Sequence, residues 1–206
     1  MVAVSPQAIS TLEHHFDHHH GSDSGSSSGC SHSSSSSSSE TPSASASVPS
    51  AHVFITHDLY PANLGGSNGA DARCQAAASS AGLSGNFIAL VSSGKTSGLS
   101  RVTGTRPFYT VNEELAYPTK SDFLATSFSS VTDEHGNPAA TEVWSGSDAN
   151  GLPSTHDCLS WTSVVSTDDA TVGVDNNADL SAASGFAAGD LRSACSQSHA
   201  LFCVQQ

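Results

Sequence analysis

Positive charge is scarce in this chain. Its 206 residues include six Lys and Arg against 19 Asp and Glu, a formal net charge of −13. A phosphate backbone attracts Lys and Arg, so this balance argues against nucleic acid as a partner. Sulfated polysaccharides are disfavoured for the same reason. Long apolar runs are also missing. No segment approaches the ~20 residues of a membrane-spanning helix. The opening MVAVSPQAISTLEHHFDHHHGSDS has no apolar stretch of about 7–15 residues, so it does not read as a secretory signal. There is no C-x-x-C pair, which removes zinc ribbons and thioredoxin-like motifs. H-E-x-x-H, the P-loop, G-x-G-x-x-G and G-x-S-x-G are absent too. Ser84, in GLSGN, lacks the nucleophile-elbow pattern. A Ser–His–Asp set built on His135 or His156 has no spacing in its favour.

What is present is unevenly distributed. Residues 1–50 are mostly serine and histidine, while 51–206 hold all six basic residues and nearly all the aromatics. A run such as Ser33–Ser39 buries too little apolar surface to offset its backbone entropy. The expectation is a disordered His/Ser-rich tether over 1–50 and one folded domain over 51–206. Within the tether, HHFDHHH (His14–His20) reads either as a plain His-rich tail or as clustered imidazoles able to hold a transition metal.

Five cysteines are present. Cys30 lies in the tether; Cys74, Cys158, Cys195 and Cys203 lie in the domain. An even number in the domain suggests two disulfides and an oxidising compartment. It also leaves no unpaired thiol for catalysis. Spacing alone selects none of the three possible pairings.

Apolar runs at HVFITH (52–57), NFIALVSS (86–93), PFYTV (107–111), EVWSG (142–146) and ALFCVQ (200–205) read as strands. The continuous FIALV suggests a central one. Between the first two, Asn68 can cap a helix with Asp71 in its first turn and Gly82 as its stop. Ala70, Cys74, Ala77, Ala78 and Ala81 form one narrow face of that helix, made of small residues. TKSDFLATSF suggests a short helix capped by Ser121. The rest is long, loop-like and in need of staples.

The stretch EVWSGSDANGLPSTHDCLSW (142–161) holds both tryptophans. Laid on a calcium loop, it places Asp148, Asn150 and Asp157 at ligand positions, but position 1 falls on Gly146, which has no side-chain oxygen. An Asx-type turn at Asp148, with Asn150-Gly151 supplying positive φ, is the structural reading.

Several of these pieces occur together in one known family. GADARCQAAASSAGLSGNFIALVSS (69–93), VNEELAYPTKSDF, VWSGSDANG, CLSW and ACSQSHALFC resemble, in this order, endostatin, the C-terminal domain of certain collagens. The likeness spans essentially 51–206. SSSGCSHSSSSSSSETPSASAS before it resembles the start of a bacterial lipoprotein: a cysteine, Cys30, followed by a Ser-rich tether. Cys30 is the lipid attachment point that this likeness implies. For the domain, the resemblance implies an α+β, C-type lectin-like fold, with a twisted mixed sheet, one main helix and long loops. It also implies two nested disulfides, Cys74–Cys203 and Cys158–Cys195.

Family zinc binding maps onto His52 and Glu113, but the N-terminal histidine pair has no counterpart in Ser47–Ala51. Two ligands fall short of the four of a structural site. The alternative, and the reading the residues favour, is His52 as an ordinary strand residue. No cofactor is required, and zinc is the one implied. Heparin binding is not expected to transfer to so acidic a surface. The expected function is a non-enzymatic extracellular or cell-surface binding and adhesion module, with a protein or extracellular-matrix ligand. Membrane contact is expected only through a lipid anchor at Cys30. The alternatives are a metal-dependent binder or hydrolase, with Zn or Ca, and a structural surface-coat component.

Overall fold

The computed structural model describes residues 50–125, 131–140, 142–174 and 191–206. All of them fall within one unit, Ala46–Gln206. The expected tether, Cys30 and His14–His20 lie outside the described residues. The elements run β1 (Ala51–Ile55), β2 (Tyr60–Pro61), α1 (Gly66–Ser80), β3 (Phe87–Ala89), α2 (Gly98–Arg101), β4 (Phe108–Tyr109), β5 (Leu115–Tyr117), α3 (Asp122–Ala125), β6 (Glu142–Trp144), α4 (Cys158–Trp161), β7 (Asp169–Val174), β8 (Arg192–Ala194) and β9 (Ser198–Gln205). The fold is α+β. Its sheet is mixed: β1–β4 and β6–β9 pair in parallel, and the other pairs are antiparallel.

β9 is the hub. It pairs with β1 and β3 along its C-terminal half and with β6 and β2 along its N-terminal half. Successive side chains of a strand point to opposite faces. Leu201 and Cys203 therefore enter one core, and Ala200, Phe202 and Val204 the other. β1 divides in the same way, with Phe54 on the first side and Val53 and Ile55 on the second. Both faces of the central strands are covered, which explains why ALFCV and VFI read as unbroken apolar runs. The first core contains α1, both disulfides and both tryptophans. The second is aromatic, with Phe123 stacked edge-on against Tyr117 at 4.6 Å and tilted against Phe108 at 4.8 Å.

The main helix begins earlier than its sequence suggests. It starts at Gly66 behind Gly65, which has φ +86° and makes no side-chain cap. Asn68 thus lies inside the helix, and Asp71 is past the first turn. Asp71 instead accepts the Ala89 N–H at 2.9 Å and pairs with Arg101, fastening α1 to β3 and α2. Ala70, Cys74, Ala77 and Ala78 form the buried face. Gly69 permits the close approach at its start: a Cβ there would lie 1.9 Å from the Leu64 carbonyl oxygen. Gly82, at φ +75°, closes the other end, with the Leu83 N–H bonded to Ala78 O.

Three other expectations change. FIALV gives only the short β3, which pairs with β9 and lies off the main strand path. α3 is braced by Asp122, whose carboxylate takes the Thr119 N–H and hydroxyl, rather than capped by Ser121. Its expected continuation from Thr126 to Phe128 lies outside the described residues. The chain between EVWSG and ALFCVQ also contains two strands, β7 and β8, that join the sheet beyond β6.

α4 is a left-handed turn. Cys158, Leu159, Ser160 and Trp161 have φ of 51°, 54°, 57° and 64°. A left-handed helix costs L residues about 1–2 kcal/mol each. Surrounding bonds hold it. Asp157 accepts the Ser160 N–H at 2.8 Å, the Trp161 N–H bonds Asp157 O at 2.8 Å, and Cys158 is bridged to Cys195. Leu159 is 68% exposed, so its side chain contributes little packing. Replacing it by glycine removes the Cβ penalty at that position. Leu159→Gly is expected to raise stability by about 1 kcal/mol in urea unfolding; a loss of 1 kcal/mol or more contradicts the strained-turn reading.

Candidate functional site

Two candidate zinc ligands, distant in sequence, meet in space. His52 sits on β1 opposite Tyr109 of β4. The turn after β4 carries Glu113, at φ +63°, back over that strand. His52 Nε2 lies 3.0 Å from Glu113 Oε1. His52 is therefore more than a plain strand residue: it has an acidic partner. Among the described residues, however, no group of three or more His, Cys, Asp or Glu is placed to hold a metal ion. One imidazole and one carboxylate supply half of a tetrahedral shell, so the described residues do not fit a four-ligand zinc site.

The acidic loop is committed to backbone bonds. Asp148 Oδ1 accepts the N–H groups of Asn150 and Leu152, each at 2.9 Å. This is the expected Asx-type turn, although the positive φ falls on Gly151 and not on Asn150. Asp157 braces α4 through Ser160 and also accepts the Gly94 N–H at 2.9 Å. Each carboxylate thus spends oxygen lone pairs on N–H groups that a cation would have to displace.

A second acidic turn follows the same logic. Asp133 is fully buried. Its Oδ1 accepts the His135 and Asn137 N–H groups at 2.9 and 2.8 Å, and its Oδ2 faces His57 Nδ1 at 3.2 Å. Burial pushes the carboxyl upward, but the Asn137 and His135 N–H bonds together with His57 outweigh it and hold the pKa below the ordinary value. Glu134 accepts the His57 backbone N–H at 2.8 Å. The pair locks the 132–137 turn against the end of β1.

An open, polar concavity lies at the start of α1. A cleft of about 410 Å³ is lined by Gly65, Gly66, Ser67, Asn68, Ser93, Thr96 and Arg101. Its walls present hydroxyls, an amide and a guanidinium. Arg101 is fixed there by Asp71 and by a bond of 3.1 Å to the Ala89 carbonyl. Buried small-molecule sites are mostly apolar. This polar, open cleft suits a side chain or chain segment of a larger partner.

Of the histidines weighed for catalysis, His156 faces Asp169 and His135 sits beside Glu134. Among the described histidines, His199, which no motif singled out, is the buried one. It stands on β9 with the Trp144 ring edge-on at 4.4 Å. Burial holds its imidazole below the ordinary histidine value, with Glu142 partly opposing. No local spacing could have flagged it, because its neighbours come from β6 and β8.

The bridges Cys74–Cys203 and Cys158–Cys195 both form, in nested order. They are consistent with an oxidising, extracellular setting. No helix among the described residues is long and apolar enough to cross a membrane. No family model and no curated protein matches the chain.

Acid stability follows from the two shifted groups. Asp133, depressed by its hydrogen bonds, contributes stability that is lost as pH falls through its folded value, while His199, depressed by burial, adds a cost as the unfolded chain takes up its proton. His199 should cause a first decline below its ordinary value of about 6.5, and Asp133 a second below about 3.8. Melting temperature against pH should show both declines. His199→Gln should abolish the upper one alone and Asp133→Asn the lower one alone; unchanged profiles contradict the assignment.

Proposed function

We propose that residues 51–206 form an endostatin-like domain of C-type lectin-like fold that works as an extracellular or cell-surface binding module. In this reading it is carried by a Ser-rich tether of the bacterial lipoprotein type. The nested bridges, the single long helix and the mixed sheet support the family reading. Binding needs no turnover, and the loops are free to diverge because the core and the bridges hold them.

The observation that carries the functional reading is the cleft at the start of α1. It is open and polar, and the cation among its lining residues, Arg101, is held by Asp71 and the Ala89 carbonyl. Its chemistry fits an acidic or hydroxyl-bearing group of a protein or matrix partner. A single guanidinium on so acidic a domain does not fit a polysulfated chain. A metal-dependent protein is the second reading. It rests on the His52–Glu113 pair, which supplies two donors only. A surface-coat role would show itself as insoluble assembly.

The test is binding of the immobilised domain to laminin, fibronectin and cell-wall glycans. Ser67→Glu and Thr96→Glu place like charge in the cleft. Each should weaken capture of the bound partner about tenfold or more, a cost of about 1.4 kcal/mol, with melting unchanged. Absence of any binding, or binding indifferent to both variants, contradicts the proposal. Stoichiometric metal in the purified protein, lost on joint His52→Ala and Glu113→Ala replacement, would favour the second reading.

A further inference from the structure

Three side chains from three strands converge at one end of the sheet. His199 Nε2 lies 2.7 Å from Ser193 Oγ. On the opposite side of the same ring, Nδ1 lies 3.1 Å from Glu142 Oε2. Glu142 begins β6, Ser193 is the middle of β8, and His199 is the second residue of β9. The tight turn between β8 and β9, closed by the Gln197 N–H on Ala194 O at 2.9 Å, brings Ser193 over the histidine.

The order is that of an activated nucleophile: a hydroxyl on a base, and the base on a carboxylate. With Nδ1–H donated to Glu142, Nε2 carries the lone pair and accepts the Ser193 hydroxyl. Trp144 walls the ring edge-on at 4.4 Å, and the side chain of His199 is only 11% exposed, while Ser193 is half-buried and reachable. The base is thus held in one orientation, and the nucleophile sits on a partly exposed residue.

The edge position of β8 adds a donor. Cys195 N–H bonds Asp168 O and Val172 N–H bonds Leu191 O. Antiparallel pairing alternates in residue pairs, so the Ala194 N–H points away from β7, toward the side of β8 on which no described strand pairs. The N–H following the nucleophile is one of those that stabilise an acyl oxyanion in serine hydrolases.

We propose that Ser193, His199 and Glu142 form a nucleophilic site that takes acyl groups from small, exposed esters, a chemical activity beyond the binding role and independent of it. Ser193 Oγ bonds to the ester carbonyl carbon while its proton passes to His199 Nε2. The ester C–O bond breaks, and the leaving alkoxide receives that proton as an alcohol. Water then attacks the acyl-serine with the same base, the Ser193–acyl bond breaks, and the carboxylic acid leaves. Ser193 and His199 are the catalytic residues. Glu142 is a positioning residue, fixing the tautomer and orientation of the ring.

The test treats the full chain with a fluorophosphonate, which loses fluoride to an activated serine, and maps the adduct by peptide mass. Ser196 in the turn and Ser198 at the start of β9, both exposed, are internal controls. The expected result is an adduct on Ser193 and none on the controls. Ser193→Ala should abolish it, and His199→Gln should slow it by at least about 100-fold. The rate should rise with pH as His199 loses its proton. Glu142 is the charged group facing that ring, and Tyr60 lies across from it on β2. Glu142→Gln, at an exposed position that folding tolerates, should slow labelling and flatten this pH profile without changing the melting temperature. p-Nitrophenyl acetate should give a burst of one nitrophenolate per chain. An unlabelled Ser193 in protein with intact bridges, or labelling equally fast in Glu142→Gln and wild type, overturns the proposal.

Discussion

The bond between Cys74 and Cys203 fixes the middle of α1 to the strand on which the rest of the domain is assembled. β9 is eight residues long and pairs with four other strands. Displacing it would separate both cores at once, because its alternate residues enter each. The bridge spans 129 residues of sequence. In the chain-entropy picture, closing so long a loop stabilises by about 5 kcal/mol. Net stabilities of about 5–15 kcal/mol leave little room to lose that contribution.

The second bridge works locally, but both proposed sites depend on it. Cys158–Cys195 closes 37 residues and joins the left-handed turn to the end of β8. Trp161 hangs from that turn and donates its ring N–H to Ser92 O at 2.8 Å. Trp144 stands 5.8 Å away, edge-on, and donates to Tyr60 O at 2.7 Å. Gly146 packs against this cluster, where a Cβ would strike Ser92 O and the Trp161 ring. Through this small cluster the bridge sets the position of β8, and so the relation of Ser193 to His199. The cleft at α1 depends on the same cluster, since the Gly65 N–H bonds Trp161 O. Loops that the chain could not hold by burial alone are thereby given one conformation.

The sequence made the apolar strands and the helix face legible because period and composition are local properties. Ala70, Cys74, Ala77 and Ala78 lie on the buried face of α1 as their spacing indicates. Strand length is less legible: FIALV has the composition of a central strand, yet only Phe87–Ala89 pairs. β7 gives no sequence signal, because DATVGV carries small residues and a glycine and its burial comes from neighbours distant in sequence. The helix start is hidden, because Asn68 has the chemistry of a cap while Gly65 achieves the turn by conformation alone. Resemblance brought out His52 and Glu113, which do meet, and four cysteines whose spacing alone left three pairings open. The Glu142–Ser193–His199 set was invisible because no motif links residues on three strands. In EVWSGSDANGLPSTHDCLSW the Asx-type turn at Asp148 is legible from the sequence. The least expected feature of that stretch is the left-handed CLSW turn, which no propensity predicts.

The most direct test of the account is native-state hydrogen exchange on the domain with and without the Cys74–Cys203 bridge. With the bridge intact, the amides of β9 from Ala200 to Val204 should be the slowest to exchange, opening only with global unfolding. Replacing both cysteines by alanine should lower their protection together with that of β1, β3 and β6, as one cooperative unit. Protection of β9 that survives the loss of the bridge, or that is already weaker than that of α1 in the intact protein, would contradict the central place given to this strand.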